Sequence, residues 1–168
     1  MTAQFYEVLL HEGHHQMLYS TPLEPYFETI KPRPEGLHGN TALERGYVGT
    51  WELDDGRLFL IGLYGYFGNR LNSLGQGEEL TVEELFPGSG GRVFAEWFSG
   101  TLRLPRGKQL RRVMVGFHLY EEELLIHIEK GVAQGSSVIR NPPPPPVPEH
   151  VLKDVPAFLL REDTDDEE

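Results

Sequence analysis

The feature that most constrains the fold is "YVGTWELDDGRLFLIGLYGYF", residues 47–67. Its two arms are rich in aromatic, β-branched and large apolar residues, and Asp54-Asp55-Gly56 separates them. Asp-Gly readily adopts the positive φ angles of a tight turn, and residues of the kind found in both arms favour strands. The segment therefore predicts a β-hairpin that any fold of this chain must contain.

Short apolar runs separated by glycine recur along the chain, which indicates many strands joined by turns. "FYEVLLH" alternates, which places Phe5, Glu7, Leu9 and His11 on one predicted face. After Glu-Gly it is followed by the strand-like "HHQMLYS". We expect residues 92–104 to form one long strand that bends at Gly100. "TVEEL" fits a capping box and predicts one short helix near 81–86. The predicted fold is mainly β: an antiparallel bent sheet, small barrel or sandwich of six to nine strands.

The domain organisation follows from a change in composition near residue 140. Residues 1–140 form a predicted single β-rich domain. Residues 141–160 begin with "NPPPPPVP", and proline lacks the donor that a sheet needs, so this part is expected to be extended. Residues 161–168, "REDTDDEE", form a predicted disordered acidic tail.

Charge and composition narrow the classes of partner. The formal net charge is −11, which disfavours nucleic acid and is compatible with a basic protein partner. There is no cysteine, no basic region before an apolar run at the N-terminus, and no apolar run near the length of a membrane span. We therefore expect a cytoplasmic protein that binds neither nucleic acid nor membrane.

The segment "HEGHH", residues 11–15, matches the H-E-x-x-H pattern of zinc hydrolases. That pattern needs a helix, so that His11 and His15 share a face beside Glu12. Here the upstream residues alternate with a period of two, and glycine occupies a variable position. A hairpin turn is therefore favoured, no metal or other cofactor is predicted, and a zinc hydrolase ranks third among the functions considered.

A second candidate site follows from strand alternation. Glu96 shares a predicted face with Phe94 and Phe98, and a carboxylate among apolar neighbours must be paired or have a raised pKa. Glu52 and His118 lie on other predicted strands. If these three side chains met, with Arg45 nearby, they would form a pocket capable of acid–base chemistry or small-ligand binding. The alternative is that each is an ordinary surface or ion-paired residue.

Two further segments are candidates for contact with a partner. "PRGKQLRR", residues 105–112, concentrates positive charge and ends in Arg111 and Arg112. The proline run, centred on Pro144, could dock on an aromatic groove, although a stiff spacer for the acidic tail is the simpler interpretation.

Three stretches together resemble a family of small, uncharacterised bacterial β-rich proteins. They are the opening hairpin with "PLEPYF", then "RGYVGTWEL" with "DDGRLFLIGL", and "LFPGSGGRVFAEWFSGTLRLPRG". The resemblance covers residues 4–140 and implies a compact β-rich domain. It implies no activity and no functional residues.

These observations favour a soluble, non-catalytic binding module over an enzyme. The leading hypothesis is a protein–protein interaction module of the accessory or immunity type, because no catalytic spacing survives inspection and the acidity suits a basic partner surface. The second is an enzyme or small-ligand binder with a Glu/His pocket on the sheet. Oligomeric state is not determined by these patterns.

Overall fold

The computed structural model describes residues 3–37, 39, 42–71, 77–111, 117–143 and 145, and for 66–71 and 77–79 it describes the backbone alone. Strands account for 53% of the structure and helices for 8%, which confirms the expected mainly β fold. Pro144 and residues 146–168 lie outside the described residues, so the predictions for the proline-rich segment and the tail stay predictions.

The described part of the chain contains nine strands and two short helices. The strands are β1 (Glu7–His11), β2 (His14–Leu18), β3 (Tyr47–Asp54), β4 (Arg57–Leu71), β5 (Gly77–Glu79), β6 (Val93–Phe94), β7 (Gly100–Arg111), β8 (Leu119–Glu129) and β9 (Val132–Arg140). The helices are α1 (Glu24–Thr29) and α2 (Val82–Leu85).

The strands form a mixed sheet in the order β2-β1-β3-β4-β9-β8-β7, with β5 and β6 also pairing with β4. The predicted hairpin 47–67 is present as β3 and β4. The sheet is mixed rather than wholly antiparallel because β1 pairs in parallel with β3, Leu9 lying opposite Trp51. The chain returns to β3 only after β2 and α1, a connection long enough for a parallel crossover.

The sheet curves so that its two outer strands approach each other without closing into a barrel. Just beyond β2, Tyr19 N donates to Arg103 O in β7 at 2.8 Å, and Arg103 N donates to Ser20 Oγ at 2.9 Å. The apolar core lies inside this curve. Its fully buried members include Leu9, Leu18, Tyr47, Trp51, Leu58, Leu60, Leu102 and Leu104.

The helix predicted near 81–86 is α2, and its capping box is complete. Glu84 N donates to Thr81 Oγ at 3.2 Å, and Thr81 N donates to a Glu84 carboxylate oxygen at 3.0 Å. Helix α1 is a second short helix, in a segment whose four prolines (residues 21–36) favour a loop or at most one helical turn. It starts with Pro25 in its first turn, where the missing N–H costs nothing, and it buries Phe27.

The expectation of one strand over 92–104 is wrong. Strand β6 pairs with β4, whereas β7 pairs with β8, so the chain must turn between them. The turn is fixed by Ala95 N donating to Leu58 O at 2.9 Å and by Phe98 N donating to Ala95 O at 3.0 Å. Because Ala95 and Phe98 are both buried, this turn is part of the core rather than a surface loop.

None of the helices in the described ranges has the length and apolar character needed to cross a bilayer.

Candidate functional site

The segment "HEGHH" forms the turn between β1 and β2. Glu12 and Gly13 have φ angles of 53° and 77°, which are those of a two-residue hairpin turn, and His11 lies opposite His14. Cross-strand partners share a face, so His11 belongs to the face of Glu7 and Leu9, whereas His15 lies opposite Leu10 on the other face. The zinc hydrolase interpretation is therefore wrong, because His11 and His15 point to opposite sides of the sheet.

Among the residues that the structure describes, no group of three or more histidine, aspartate or glutamate side chains is arranged to hold a metal ion.

The structure places Glu52, Glu96 and His118 in different surroundings and not in one pocket. Glu52 accepts from Arg92 at 2.9 Å. Glu96 is exposed in the turn between β6 and β7, so its expected position on an apolar strand face is wrong. His118 precedes β8, where its carbonyl oxygen accepts from the Tyr19 hydroxyl at 3.0 Å. Acid–base chemistry that needs these three groups together has no geometric basis.

The fourth residue of that hypothesis, Arg45, pairs instead with a carboxylate that strand alternation alone had placed among apolar residues. Arg45 Nε lies 2.8 Å from Glu7 Oε1, and the side chains are 9% and 1% exposed. The other Glu7 oxygen accepts from Trp51 Nε1 at 2.8 Å. Burial raises the pKa of Glu7, and Arg45, Trp51 and the backbone N–H of Gly49 oppose that rise.

This ion pair continues into a polar network beneath α1. Tyr47 donates to Glu24 at 2.7 Å, and Arg33 donates to both oxygens of the same carboxylate at 2.6 and 2.7 Å. Burial raises the pKa of the Tyr47 hydroxyl, and the neighbouring carboxylates add to the rise. Each carboxylate oxygen in the network has a donor, so the arrangement holds α1, Arg33 and Arg45 against the sheet and leaves no free carboxylate oxygen to react.

A different region, at the opposite end of β1 and β3, opens as a groove of about 880 Å³. The tips of the β1–β2 and β3–β4 hairpins form one side, and β8 and β9 form the other. Leu10, Leu53, Leu124, Ile126 and Ala133 supply apolar surface. The volume lies within the range of small-molecule sites, roughly 300–1,000 Å³.

The lining of this groove carries an excess of acidic side chains. Its lining includes four carboxylates and no lysine or arginine; the carboxylates are those of Glu12, Glu52, Asp54 and Asp55. Arg92 pairs with Glu52 and with Asp54, the latter at 3.0 Å. Within the described ranges, Glu12 and Asp55 pair with no lysine or arginine. The groove therefore attracts positive charge, and water-exposed carboxylates at its rim supply that attraction.

His11 stands at the inner end of the groove. Its Nε2 lies 3.9 Å from Glu12 Oε1, while its Nδ1 is buried and makes no hydrogen bond to any described residue. A buried polar atom without a partner costs about 1–3 kcal/mol, so it calls for an explanation. Within the described part of the chain, His11 Nδ1 is the one buried side-chain nitrogen or oxygen of the groove lining that has no hydrogen-bond partner.

The candidate contact residues on the basic segment are only partly described. Arg111 is exposed at the end of β7, opposite Leu119 of β8. Arg112 and Pro144 lie outside the described residues. The partner-contact hypothesis for these three residues stays a prediction.

Comparison with protein-family models, with curated proteins and with solved structures found no match to this chain. The resemblance seen over residues 4–140 stays a prediction, and the site must be judged from its own geometry.

Sequence reasoning missed both regions that the structure brings out. Glu7 has the same sequence pattern as Glu96, namely a carboxylate on a predicted strand face with apolar neighbours. Glu7 was the better candidate because it lies in strand β1, whereas Glu96 lies in a turn. The groove had no signal in the sequence, because its lining comes from four separate strands and two turns.

Proposed function

We propose that this protein is a non-catalytic binding module that recognises a basic segment of another protein at the acidic groove. The observation that carries the proposal is the combination in one place of apolar surface and two rim carboxylates, Glu12 and Asp55, that pair with no lysine or arginine of the described residues. Apolar surface supplies the free energy of association, and the carboxylates select positive charge and speed encounter. The accessory or immunity-type role suggested by the sequence is compatible with such a surface.

The buried Glu7–Arg45 pair supports a non-catalytic function, because we assign the pair to stability and the groove to binding. Both oxygens of the Glu7 carboxylate are occupied by protein donors, and the pair is buried out of reach of a substrate. The groove, in contrast, offers carboxylates that point to water, with no partnered nucleophile and base of the kind that acyl or phosphoryl transfer requires. The cytoplasm remains the proposed location, because the chain contains no cysteine.

The test uses the full chain and a synthetic peptide of about eight residues in which lysine and valine alternate. Binding is measured by calorimetry, and amide shifts locate the contact. A matched peptide with glutamate in place of lysine serves as the charge control. We expect the lysine peptide to bind, to shift groove residues, and to lose affinity in about 0.5 M salt, since screening at this ionic strength is strong.

The groove variant combines Glu12→Gln with Asp55→Asn. Asparagine tolerates the positive φ of 47° at residue 55, so the turn is kept while the charge is removed. We expect a weakening of about twofold to thirtyfold, because each of the two exposed charges contributes roughly 0.2–1 kcal/mol. The control combines Glu28→Gln with Glu35→Gln, two exposed carboxylates outside the groove, and should bind normally. Equal loss in both variants, or equal binding of both peptides, would contradict the proposal.

A small cationic ligand is the second candidate, since the groove has the size of such a site and His11 Nδ1 lacks a partner among the described residues. Arginine amide is the appropriate probe. Saturable binding of arginine amide as tight as that of the peptide would favour this second function over the first.

A further inference from the structure

We infer that the basic segment binds as an added β-strand along the open side of β9, and this inference rests on the proposed function. Strand β9 stands inside the strand order, between β4 and β8, yet one of its two sides makes almost no pairing with the part of the chain that the structure describes. It pairs with β8 from Val132 to Arg140, whereas its pairing with β4 is confined to Arg57 opposite Val132. Beyond that point, β9 continues past the tip of the β3–β4 hairpin.

The backbone groups that face the open side can be identified from the register. Asn141 N donates to Glu121 O at 2.8 Å, which makes 121 and 141 a hydrogen-bonded pair. In an antiparallel ladder such pairs alternate with pairs whose N–H and C=O groups point away. Ser137 and Ile139 therefore bond to β8, and the backbone groups of Ser136, Val138 and Arg140 point to the open side.

This side of β9 is accessible. Every residue from Gln134 to Arg140 is exposed, and Val138 and Ile139 are 51% and 42% exposed. At about 3.3 Å per residue, residues 134–140 offer an edge of about 23 Å. An exposed strand edge with apolar side chains is a template for another strand, and stable folds usually cover such an edge or interrupt it.

The open edge and the acidic groove adjoin each other. Residues 133–136 of β9 line the groove, together with Asp55 and Gly56 at the hairpin tip. Val138 lies opposite Leu124, and Ser136 lies opposite Ile126, so these residues share a face with the apolar floor. Alternate side chains of an added strand would therefore reach that floor, while basic side chains near its groove end would meet Glu12 and Asp55.

The negative charge of the groove distinguishes between two possible occupants of the edge, the C-terminal part of this chain and a segment of another protein. From residue 141 onward this chain carries eight acidic and two basic residues, a net charge of −6, which the groove carboxylates repel. The occupant is accordingly an extended segment of another protein in which apolar and basic residues alternate. Strand addition of this kind draws affinity from the backbone and specificity from alternate side chains.

The first experiment compares the lysine–valine peptide with the same peptide carrying N-methyl groups at alternate backbone nitrogens, which removes hydrogen bonds without changing charge. We expect the methylated peptide to bind at least about tenfold more weakly. Hydrogen exchange on the full chain should show that the peptide protects the amides of Ser136, Val138 and Arg140. The amides of Ser137 and Ile139, which bond to β8, should be protected with and without peptide.

The second experiment uses Val138→Pro, which removes an outward N–H and no bond to β8, with Val138→Thr as the control that keeps the N–H. Proline is tolerated at such edge positions. We expect at least about tenfold weaker binding for Val138→Pro and less than about threefold for Val138→Thr. If Val138→Pro fails to fold, the methylated peptide and hydrogen exchange on the unmodified chain still decide the matter.

The outcomes separate the two proposals. Equal, lysine-dependent binding of the methylated and unmethylated peptides would overturn strand addition and leave the proposed function standing. Absence of binding by the lysine peptide would overturn both. Protection of the Ser136, Val138 and Arg140 amides in the full chain without peptide would mean that a segment of the chain itself covers the edge, and it would overturn the choice of occupant.

Discussion

Two ends of the same strands differ sharply in how their carboxylates are satisfied. Around Glu7 the carboxylate is buried, and Arg45, Trp51 and the Gly49 backbone all donate to it. Around His11, at the other end of the same strand, the neighbouring rim carboxylates of Glu12 and Asp55 face water and pair with no lysine or arginine of the described residues. A buried nitrogen without a partner in the described structure occurs at both ends, namely Arg45 Nη2 and His11 Nδ1. Both regions are rich in charge, so charge alone does not distinguish them.

The comparison teaches that the intramolecular hydrogen-bond and ion-pair partners of a carboxylate, rather than its residue type, determine whether it is available to bind another molecule. A carboxylate whose lone pairs are filled by the protein's own donors serves the fold, and removing it leaves a buried charge exposed to an apolar environment. A carboxylate in water costs the fold almost nothing and remains available to another molecule. Substitutions at the two ends should therefore act on different properties, namely stability at the Glu7 end and binding at the groove.

The largest effect is expected for Glu7→Gln. Both Glu7 oxygens accept from N–H donors, so the amide NH2 of glutamine must face either Arg45 Nε or Trp51 Nε1 and breaks that buried contact. We expect the free energy of unfolding to fall by about 3–5 kcal/mol. Urea denaturation measures it. Asp55→Asn is the matched substitution in the groove and should change stability by less than about 0.5 kcal/mol. A similar loss in the two variants would remove the distinction between the regions.

The next largest difference in stability between the two regions is expected from their packing density. A Cβ at Gly49 would overlap Glu7 Oε2 and lie 2.7 Å from Trp51 Nε1, both within a fixed network. Gly49→Ala should therefore cost about 1–3 kcal/mol of stability.

Gly135 is the control for this substitution. It lines the groove, and a Cβ there meets nothing within 4 Å. Thermal unfolding of Gly135→Ala should differ from that of the unmodified protein by less than the equivalent of about 0.5 kcal/mol. A destabilising Gly135→Ala together with a neutral Gly49→Ala would reverse the comparison.

The pH dependence of stability should carry the signature of Glu7. Its pKa is raised by burial, so the folded chain retains this proton to a higher pH than the unfolded chain does. Unfolding then releases a proton between the model value of 4.5 and the raised folded value, and the contribution of Glu7 to stability is lost as pH rises through that window.

The Trp51 indole N–H reports this titration directly, because it donates to Glu7 Oε2 at 2.8 Å. Its proton chemical shift, followed by NMR, should titrate above pH 4.5. The Trp97 indole N–H, which donates to the Pro22 carbonyl oxygen, is the internal control. A Trp51 shift that titrates below pH 4.5 would show that the ion pair outweighs burial.

The smallest effect is expected at His11. Phenylalanine keeps the ring and removes the nitrogen that has no partner in the described structure, so His11→Phe should leave stability unchanged or raise it by up to about 1 kcal/mol. Chemical denaturation measures this change. A loss greater than about 1 kcal/mol would show that His11 Nδ1 does make a hydrogen bond in solution, and it would weaken the contrast with Glu7.

Local patterns in the sequence were sufficient for the mainly β fold, both tight hairpins and the α2 capping box. These features depend on residues within a few positions of each other: Glu12-Gly13 and Asp55-Gly56 adopt positive φ, and Thr81 bonds to Glu84. Alternation also placed Glu7, Leu9 and His11 on one face correctly, as their cross-strand partners confirm. It failed at residues 92–104, where pairing with two different strands imposed a turn that alternation cannot reveal.

Only the tertiary structure decided which charged residues meet and which strand edge stays open. Arg45 and Glu7 are 38 residues apart, and the choice of Glu7 over Glu52 or Glu96 depends on the parallel pairing of β1 with β3. The open side of β9 exists because the β3–β4 hairpin turns back at Gly56 while β9 runs on to Arg140. Backbone periodicity is a local property, whereas ion pairing and edge exposure depend on how distant strands are ordered, and one sequence pattern is compatible with many orders.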